Sequence, residues 1–257
     1  MKLGVVIPVY NAEKTISSVL ERLDSILEIV EIEILIIDNK SNDSTVDQIN
    51  KTFLERPSLK TCSSVVAKNQ NDGYGRSIKQ GFDYYLNRDV SHIVIIHGDF
   101  QEDPYALIKR YLVYLAENPL TSVVLASRFS SKSDIGSYSF KRKIGNHFFN
   151  YLTKVCTGQV LSDFGTAMLC ISKESLSNIG YSRLSDSWHF HPQLNVLFCE
   201  IPEISIGEVE LNWKDSEAGS SVQLIRYSLT LLKILSAYWW IKNIKRKPLS
   251  QRFNSAE

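Results

Sequence analysis

The run Ile93-Val94-Ile95-Ile96 passes without a break into His97-Gly98-Asp99-Phe100-Gln101-Glu102-Asp103-Pro104. Four β-branched residues in a row, with no alternation of polar and apolar, read as a strand buried on both faces, the kind found in parallel sheets. Pro104 suits the first turn of a following helix, where its missing N–H has no partner to lose. Ligands of open α/β sheets sit at the carboxyl ends of strands, where these polar and acidic residues crowd. Asp99 and Gln101, at alternate positions just past the strand, can reach one hard cation together, and a divalent ion there would hold a diphosphate. The octapeptide therefore points to metal-dependent chemistry on a nucleotide-linked substrate.

Working outward, strand-like and helix-like runs alternate through the first half of the chain, the signature of a parallel sheet with crossover helices. Strands are expected at 5–9, 33–37, 62–67, 93–96 and 122–126, and helices at 12–27, 44–53, 75–86 and 104–117. A Ser-rich loop spans 127–139, a helix 140–155, a turn and strand 163–171, a helix 188–198, a strand 203–213 and a long amphipathic helix 222–245. No internal repeat or linker interrupts the first half.

The 257 residues carry a formal net charge of +1, which argues against a general nucleic-acid binder. The charge is uneven: between Ala218 and Ala256 there is no acidic residue, while Arg226, Lys233, Lys242, Lys245, Arg246, Lys247 and Arg252 fall there. Four widely spaced cysteines form no CxxC pair or Cys/His cluster, so reduced thiols are expected instead of zinc or disulfides. No signal-peptide pattern opens the chain and no uncharged apolar run reaches about 18 residues, so the expected place is the cytosolic side of a membrane, without a span.

Four polar segments fall at successive strand ends: Pro8-Val9-Tyr10-Asn11, Asp38-Asn39-Lys40-Ser41-Asn42-Asp43-Ser44, Asn71-Asp72-Gly73-Tyr74-Gly75 and His97 to Asp103. Each has a plain explanation alone, such as Asp43 or Ser44 capping a helix, or the glycines making a turn. Together they line one crevice. Asp38 can accept hydrogen bonds from a base or ribose, Gly73 and Gly75 allow close approach, and Asp99 can hold the cation.

In this order the segments resemble glycosyltransferase family 2, and within it the dolichyl-phosphate mannose synthase-like polyprenyl-phosphate sugar transferases. Further matches in order and spacing are Gly81, Ala126-Ser127-Arg128-Phe129, Arg142 through Asn146, and Asp163-Phe164-Gly165-Thr166-Ala167-Met168, covering the chain to about Leu235. The resemblance implies an α/β, GT-A type single domain over 1–217, with a predominantly parallel mixed sheet flanked by helices. A basic amphipathic helix and tail would occupy 218–257, packed on the domain or on a membrane surface. It implies a nucleotide-diphosphate sugar donor held by Pro8, Tyr10, Asn11, Asp38, Asn71, Gly73, Gly75 and Gly98, and Mg²⁺ or Mn²⁺ held by Asp99, Gln101 and His97. The reaction would be displacement with inversion, with Asp99, Asp163, Arg128 and Arg142 as catalytic residues.

Two positions depart from the family pattern. His97 stands where the metal segment has an acid, and Asn39 where the nucleoside segment has a second acid. Imidazole is an acceptable ligand for Mn²⁺-like ions; the alternatives are a packed or solvated histidine and a degenerate, non-catalytic member. The two arginines suit bidentate phosphate binding. Asp163 is a candidate base for a hydroxyl acceptor, an orienting group, or a turn cap. His189 and His191 read as acceptor-pocket or core residues. The expected acceptor is a polyprenyl phosphate or, alternatively, a glycan hydroxyl in surface-polysaccharide assembly. A sugar-1-phosphate nucleotidyltransferase is set aside, because no Gly- and Arg/Lys-rich phosphate loop follows the first strand.

The C-terminal helix repeats Leu224, Tyr227, Leu231, Ile234, Tyr238 and Ile241 at helical spacing, then carries Trp239, Trp240 and Lys245-Arg246-Lys247. It fits an interfacial helix beside anionic lipid, a helix docked on its own core, or a dimer contact. A homo-oligomer or a membrane partner subunit is compatible with all three.

Overall fold

β1 (Lys2–Val9) is an interior strand of the sheet, with β2 (Glu31–Asp38) parallel on one edge and level with it: Lys2 stands opposite Glu31 and Val9 opposite Asp38. The structure, a computed structural model, describes residues 1–136, 138–214 and 224–253. Beyond β2 lies β3 (Ser63–Ala67), and on the other edge of β1 lies β4 (His92–Ile95), both parallel to their neighbours. The chain thus leaves β1 in one direction to build β2 and β3, then returns to start β4 on the opposite side. That reversal opens a crevice at the carboxyl ends of β1 and β4.

The second half adds an antiparallel element. β6 (Leu169–Ser172) runs against both β4 and β5 (Val123–Ser127), and β7 (Ile206–Glu210) is parallel to β5. The seven strands take the order β3-β2-β1-β4-β6-β5-β7, a mixed sheet as expected.

Helices cover both faces. α1 (Ile16–Asp24), α2 (Thr45–Glu55), α3 (Pro57–Thr61) and α5 (Pro104–Glu117) close one core through Leu20, Ile49, Leu59 and Leu107. α4 (Tyr74–Leu86), α7 (Lys173–Asn178), α8 (Phe190–Glu200) and α9 (Leu224–Asn243) close the other through Phe82, Leu176, Phe198 and Leu235. α6 (Phe140–Thr157) packs on α8 and α9. Close approach of α4 to β1 depends on Gly81, where a Cβ would stand 2.5 Å from Val6 Cγ1.

Several boundaries differ from the sequence reading. The expected helix over 12–27 is α1 followed by a tight turn at Ser25–Glu28, because Ala12 N–H donates to Thr45 Oγ1 (2.7 Å) and holds the segment before Ile16 out of the helix. The expected turn and strand over 163–171 is found, with Asp163 and Phe164 held in the turn by side-chain bonds and the strand at Leu169–Ser172. α3 and α7 are single turns that the sequence patterns did not mark. Val222, the expected start of the last helix, and the 217/218 boundary lie outside the described residues.

The periodic stripe of α9 points inward. Leu231, Ile234, Tyr238 and Ile241 are buried on the domain, Tyr227 is half-buried and Leu224 is exposed, so from Leu231 onward the repeat is the helix's own core contact.

Candidate active site

The end of β1 and the end of β2 are laced together before they reach the crevice. Asn11 adopts a left-handed φ of 52° and donates its N–H to Ser41 Oγ (2.8 Å), while Asn42 N–H donates to Asn11 Oδ1 (2.9 Å). Asp38 is buried, and both of its oxygens accept from Ser41, the hydroxyl at 2.5 Å. Its carboxylate braces the loop beneath the cleft and does not line it. Asn39 lines it instead: its Nδ2 donates to Asn71 Oδ1 (2.7 Å) and its Oδ1 accepts from Asp72 N–H (3.3 Å). A carboxylate at 39 has no donor for Asn71, which gives this departure from the family pattern a local physical reason.

Pro8, Tyr10, Asn11, Asn71, Gly73, Gly98 and Asp99 converge, with Asn39, Tyr74 and Trp188, on a cleft of about 610 Å³. Gly73 sits at φ 101°, a value that excludes most side chains, and a Cβ there would collide with the Asp186 carbonyl. Gly75 does not line the cleft; it lets α4 pack against the Ser185 carbonyl and the Phe190 side chain. Gly98 is pressed on Val9, and its carbonyl accepts from Thr15 Oγ1 (2.7 Å).

Past β4 the metal segment turns sharply. Phe100 has φ 54°, a conformation of about 1–3 kcal/mol strain in a non-glycine residue. The surrounding bonds hold it: Gln101 N–H reaches Asp99 Oδ1 (3.4 Å) and Gln101 C=O accepts from Lys214 N–H (2.8 Å). Asp103 caps α5 by accepting from Tyr105 N–H (3.0 Å) and is gripped by the Arg22 fork. Glu102, buried, accepts from Asn212 N–H and pairs with Arg110; burial raises its carboxyl pKa against the pull of that arginine.

Among the described residues no three His, Cys, Asp or Glu side chains gather as a metal cluster. The oxygen donors at the segment are the Asp99 carboxylate, which lines the cleft, and the Gln101 amide, which lines a neighbouring cavity; both are hard donors of the kind Mg²⁺ and Mn²⁺ take. His97 does not complete that pair through Nε2, which lies 2.8 Å from the Tyr74 hydroxyl. The same hydroxyl is 2.9 Å from His191 Nε2, and His191 Nδ1 is buried with no partner among the described residues. A bare buried nitrogen is more tolerable than an orphaned N–H, so His191 donates from Nε2, and Tyr74 donates to His97. Burial holds both imidazoles below the ordinary histidine value and Tyr74 well above the ordinary phenol value. Nε2 of His97 is therefore committed to Tyr74, and any part His97 takes at a metal would fall to Nδ1.

Tyr74 stacks on Trp188 at 4.7 Å between ring centroids and 14° between planes. Tyr74, His97 and Trp188 form the wall between the cleft and a second cavity of about 740 Å³. Arg128, at the end of β5, and Arg142, Lys141 and Asn146, on α6, bring polar groups to this cavity, while Phe149, Trp213, Ile225 and Leu229 make it apolar. Arg128 donates from Nε to Asp163 Oδ2 (2.7 Å), from Nη2 to Oδ1 (2.8 Å) and from Nη1 to the Tyr138 hydroxyl (3.1 Å). Burial opposes the guanidinium charge, but Asp163 outweighs it and raises the Arg128 pKa. Asp163 is fully buried with both oxygens on this fork. Both lone-pair faces that point to the cavity are thus taken up by Arg128, the arrangement expected of an orienting group. His191 lies in the cavity wall, and His189 stacks on Tyr227 at 4.7 Å.

Sequence reasoning missed Asn39, Tyr74, Trp188 and Tyr138 as site residues. Tyr74 had a local signal, since it sits between two glycines at a strand end; Trp188 and Tyr138 had none, because they arrive from distant segments.

Comparison with known proteins gives the family and the fold. The Glycosyl transferase family 2 profile covers residues 4–180. An undecaprenyl-phosphate 4-deoxy-4-formamido-L-arabinose transferase of Serratia proteamaculans is 27% identical over 166 residues, 64% of this chain and 47% of that one. A dolichol-phosphate mannosyltransferase of Pyrococcus furiosus is 24% identical over 144 residues, 56% of this chain and 38% of that one. The matched region thus spans under half the length of these two relatives. Among solved structures, glucosyl-3-phosphoglycerate synthase from Mycobacterium tuberculosis, in complex with Mn²⁺, uridine-diphosphate and phosphoglyceric acid, superposes with a TM-score of 0.67 at 14% identity, covering 93% of this chain and 78% of that one. The fold is GT-A, and the chain belongs to glycosyl transferase family 2.

Proposed function

We propose that this chain is an inverting glycosyltransferase that moves a sugar from a nucleotide-diphosphate sugar to a polyprenyl phosphate, working as a peripheral protein at the cytosolic face of a membrane. The observation that carries the reading is the pair of cavities sharing the Tyr74, His97 and Trp188 wall: one built at strand ends with Asn11, Asn39, Asn71 and Asp99 in its lining, the other carrying Arg128 and Arg142 among apolar side chains. The nucleoside lies against Tyr10, Asn11, Asn39 and Asn71, and the glycines at 73 and 98 admit the diphosphate. Asp99 and Gln101 would hold Mg²⁺ or Mn²⁺, which would supply charge neutralisation for the leaving diphosphate.

A phosphate oxygen of the acceptor attacks the anomeric carbon from the acceptor side, and the bond to the diphosphate breaks on the other, taking its electron pair with it. One displacement inverts the configuration. Arg128, fixed by Asp163 and Tyr138, and Arg142 orient the acceptor phosphate through planar, charge-assisted hydrogen bonds. A phosphate acceptor is anionic near neutral pH and needs no base, in keeping with an Asp163 committed to Arg128. Transfer to a glycan hydroxyl requires a carboxylate that takes a proton, and the residue first considered for that task is buried in an ion pair.

The test is transfer from a panel of labelled nucleotide sugars to polyprenyl phosphate, with Mn²⁺ or Mg²⁺ and then with chelator. A lipid-linked product that disappears with chelator supports the reading. Metal-dependent release of nucleoside diphosphate only with a glycan acceptor overturns the acceptor assignment. Binding of a nucleotide sugar without any transfer assigns the chain to a non-catalytic subunit.

A further inference from the structure

We infer that α6, and not the basic C-terminal tail, is the element that docks this chain on an anionic lipid bilayer; the inference rests on the lipid-phosphate reading of the acceptor cavity. Phe140, Ile144, Phe148, Tyr151 and Val155 are each between 48% and 74% exposed. At 3.6 residues per turn they fall within an arc of about 80° on one side of the helix. Five large apolar side chains in one outward stripe are not the scattered exposure usual on a soluble surface.

Charge selects the occupant. α6 contains no acidic residue and carries Lys141, Arg142, Lys143 and Lys154. Lys141 borders one edge of the stripe, and Lys143, His147 and Lys154 border the other. None of the four cations is in an ion pair with a described residue. α9, packed beside α6, has no acidic residue either. A second copy meeting this face would bring like charges together, whereas an apolar band flanked by lysines matches acyl chains beneath anionic headgroups. The end of α9 and the tail offer a smaller apolar surface: Lys242 and Arg252 are paired with Glu200, and the exposed Lys245, Arg246 and Lys247 have only Trp239, Trp240 and Ile244 as exposed large apolar neighbours.

Position supports the same occupant. The opposite face of α6 lines the acceptor cavity through Arg142, Gly145, Asn146 and Phe149, and the exposed Ile225 and Leu229 of α9 stand at its rim. Docking by the stripe lays the cavity directly behind the headgroup layer, so a lipid-borne phosphate reaches Arg128 and Arg142 without its chain crossing water.

The experiment is cosedimentation of the full chain with phosphatidylcholine vesicles and with vesicles of equal parts phosphatidylcholine and phosphatidylglycerol. It compares wild type, the Ile144→Glu/Phe148→Glu double variant, and a variant with Lys245, Arg246 and Lys247 each changed to Gln. Nucleoside-diphosphate binding to each variant reports an intact fold and donor cleft. Expected are salt-sensitive binding of wild type to the anionic vesicles, a loss of about tenfold or more in the double variant, and a smaller loss in the tail variant. Equal binding of wild type and the double variant overturns the inference, as does a wild type that ignores vesicles, or a dimer in solution that the double variant dissociates. Vesicle binding lost in the double variant, while wild type transfers sugar to no lipid phosphate, leaves the docking face standing and overturns the reading of the acceptor.

Discussion

The donor cleft and the acceptor cavity meet at Tyr74, His97 and Trp188 but are built from different material. On the donor side, the polar groups stand one to four residues past strands whose register the sheet fixes, and the loops are tied to each other: Asn11 to Ser41 and Asn42, Asn39 to Asn71, Gly98 to Thr15. On the acceptor side, Arg128, Asp163, Tyr138 and Asn146 come from four segments, and one buried ion pair organises them. The first region is rigid because its backbone is fixed; the second because its charges are matched. Substitutions are expected to separate the two kinds of rigidity.

The largest effect is expected at the shared chemistry. Asp99→Ala removes the carboxylate of the metal pair and is expected to lower transfer by about a thousandfold or more, with an unchanged Tm by circular dichroism; wild-type turnover would break the assignment. Arg128→Leu leaves the buried Asp163 carboxylate without its partner and is expected to cost about 3–5 kcal/mol of stability, read by urea unfolding. Adding Asp163→Leu to it is expected to restore part of that loss without restoring transfer. If the single variant loses activity alone, the acceptor side is not organised by its ion pair.

Gly73→Val tests the backbone-built side. The φ of 101° and the Asp186 carbonyl leave no room for a side chain, so about 1–3 kcal/mol of strain is expected, read as weaker nucleotide binding in calorimetry. The wall between the two regions is tested by pH. His191 and His97 have pKa values below the ordinary 6.5 because they are buried, so the unfolded chain binds the extra protons. Their neutral forms favour the fold above about pH 6.5, and stability is lost as pH falls below it, approaching about 1.4 kcal/mol per unit for each. Tm measured from pH 7 to pH 5 checks this, and His191→Gln is expected to flatten the curve. The smallest effect is expected at Arg142→Ala, a partly exposed residue: about a tenfold rise in acceptor KM, with donor KM unchanged.

Most of the donor side was legible because its residues are sequence neighbours of buried strands. The run from Ile93 to Pro104 placed Asp99 and Gln101 correctly at a strand end, and the glycines at 73 and 98 line the cleft. Asp38 was misread, since nothing local tells whether a carboxylate at a strand end faces the ligand or the serine three residues on. His97 was legible only in part for a related reason: a histidine at a strand end has two nitrogens, and the partner of one comes from Tyr74, 23 residues away.

The sequence by itself determined the parallel half of the sheet, the crowding of polar segments at its strand ends, and the kinship with family 2, because these depend on short-range patterns of burial and turn chemistry. Only the tertiary structure decided that Asp163 belongs to Arg128, that Tyr74 joins two histidines, and that the apolar repeat of α9 faces inward while α6 turns its own stripe to solvent. Periodicity shows that a helix has an apolar face; which face is covered depends on what packs against it, and that is settled by residues far away along the chain.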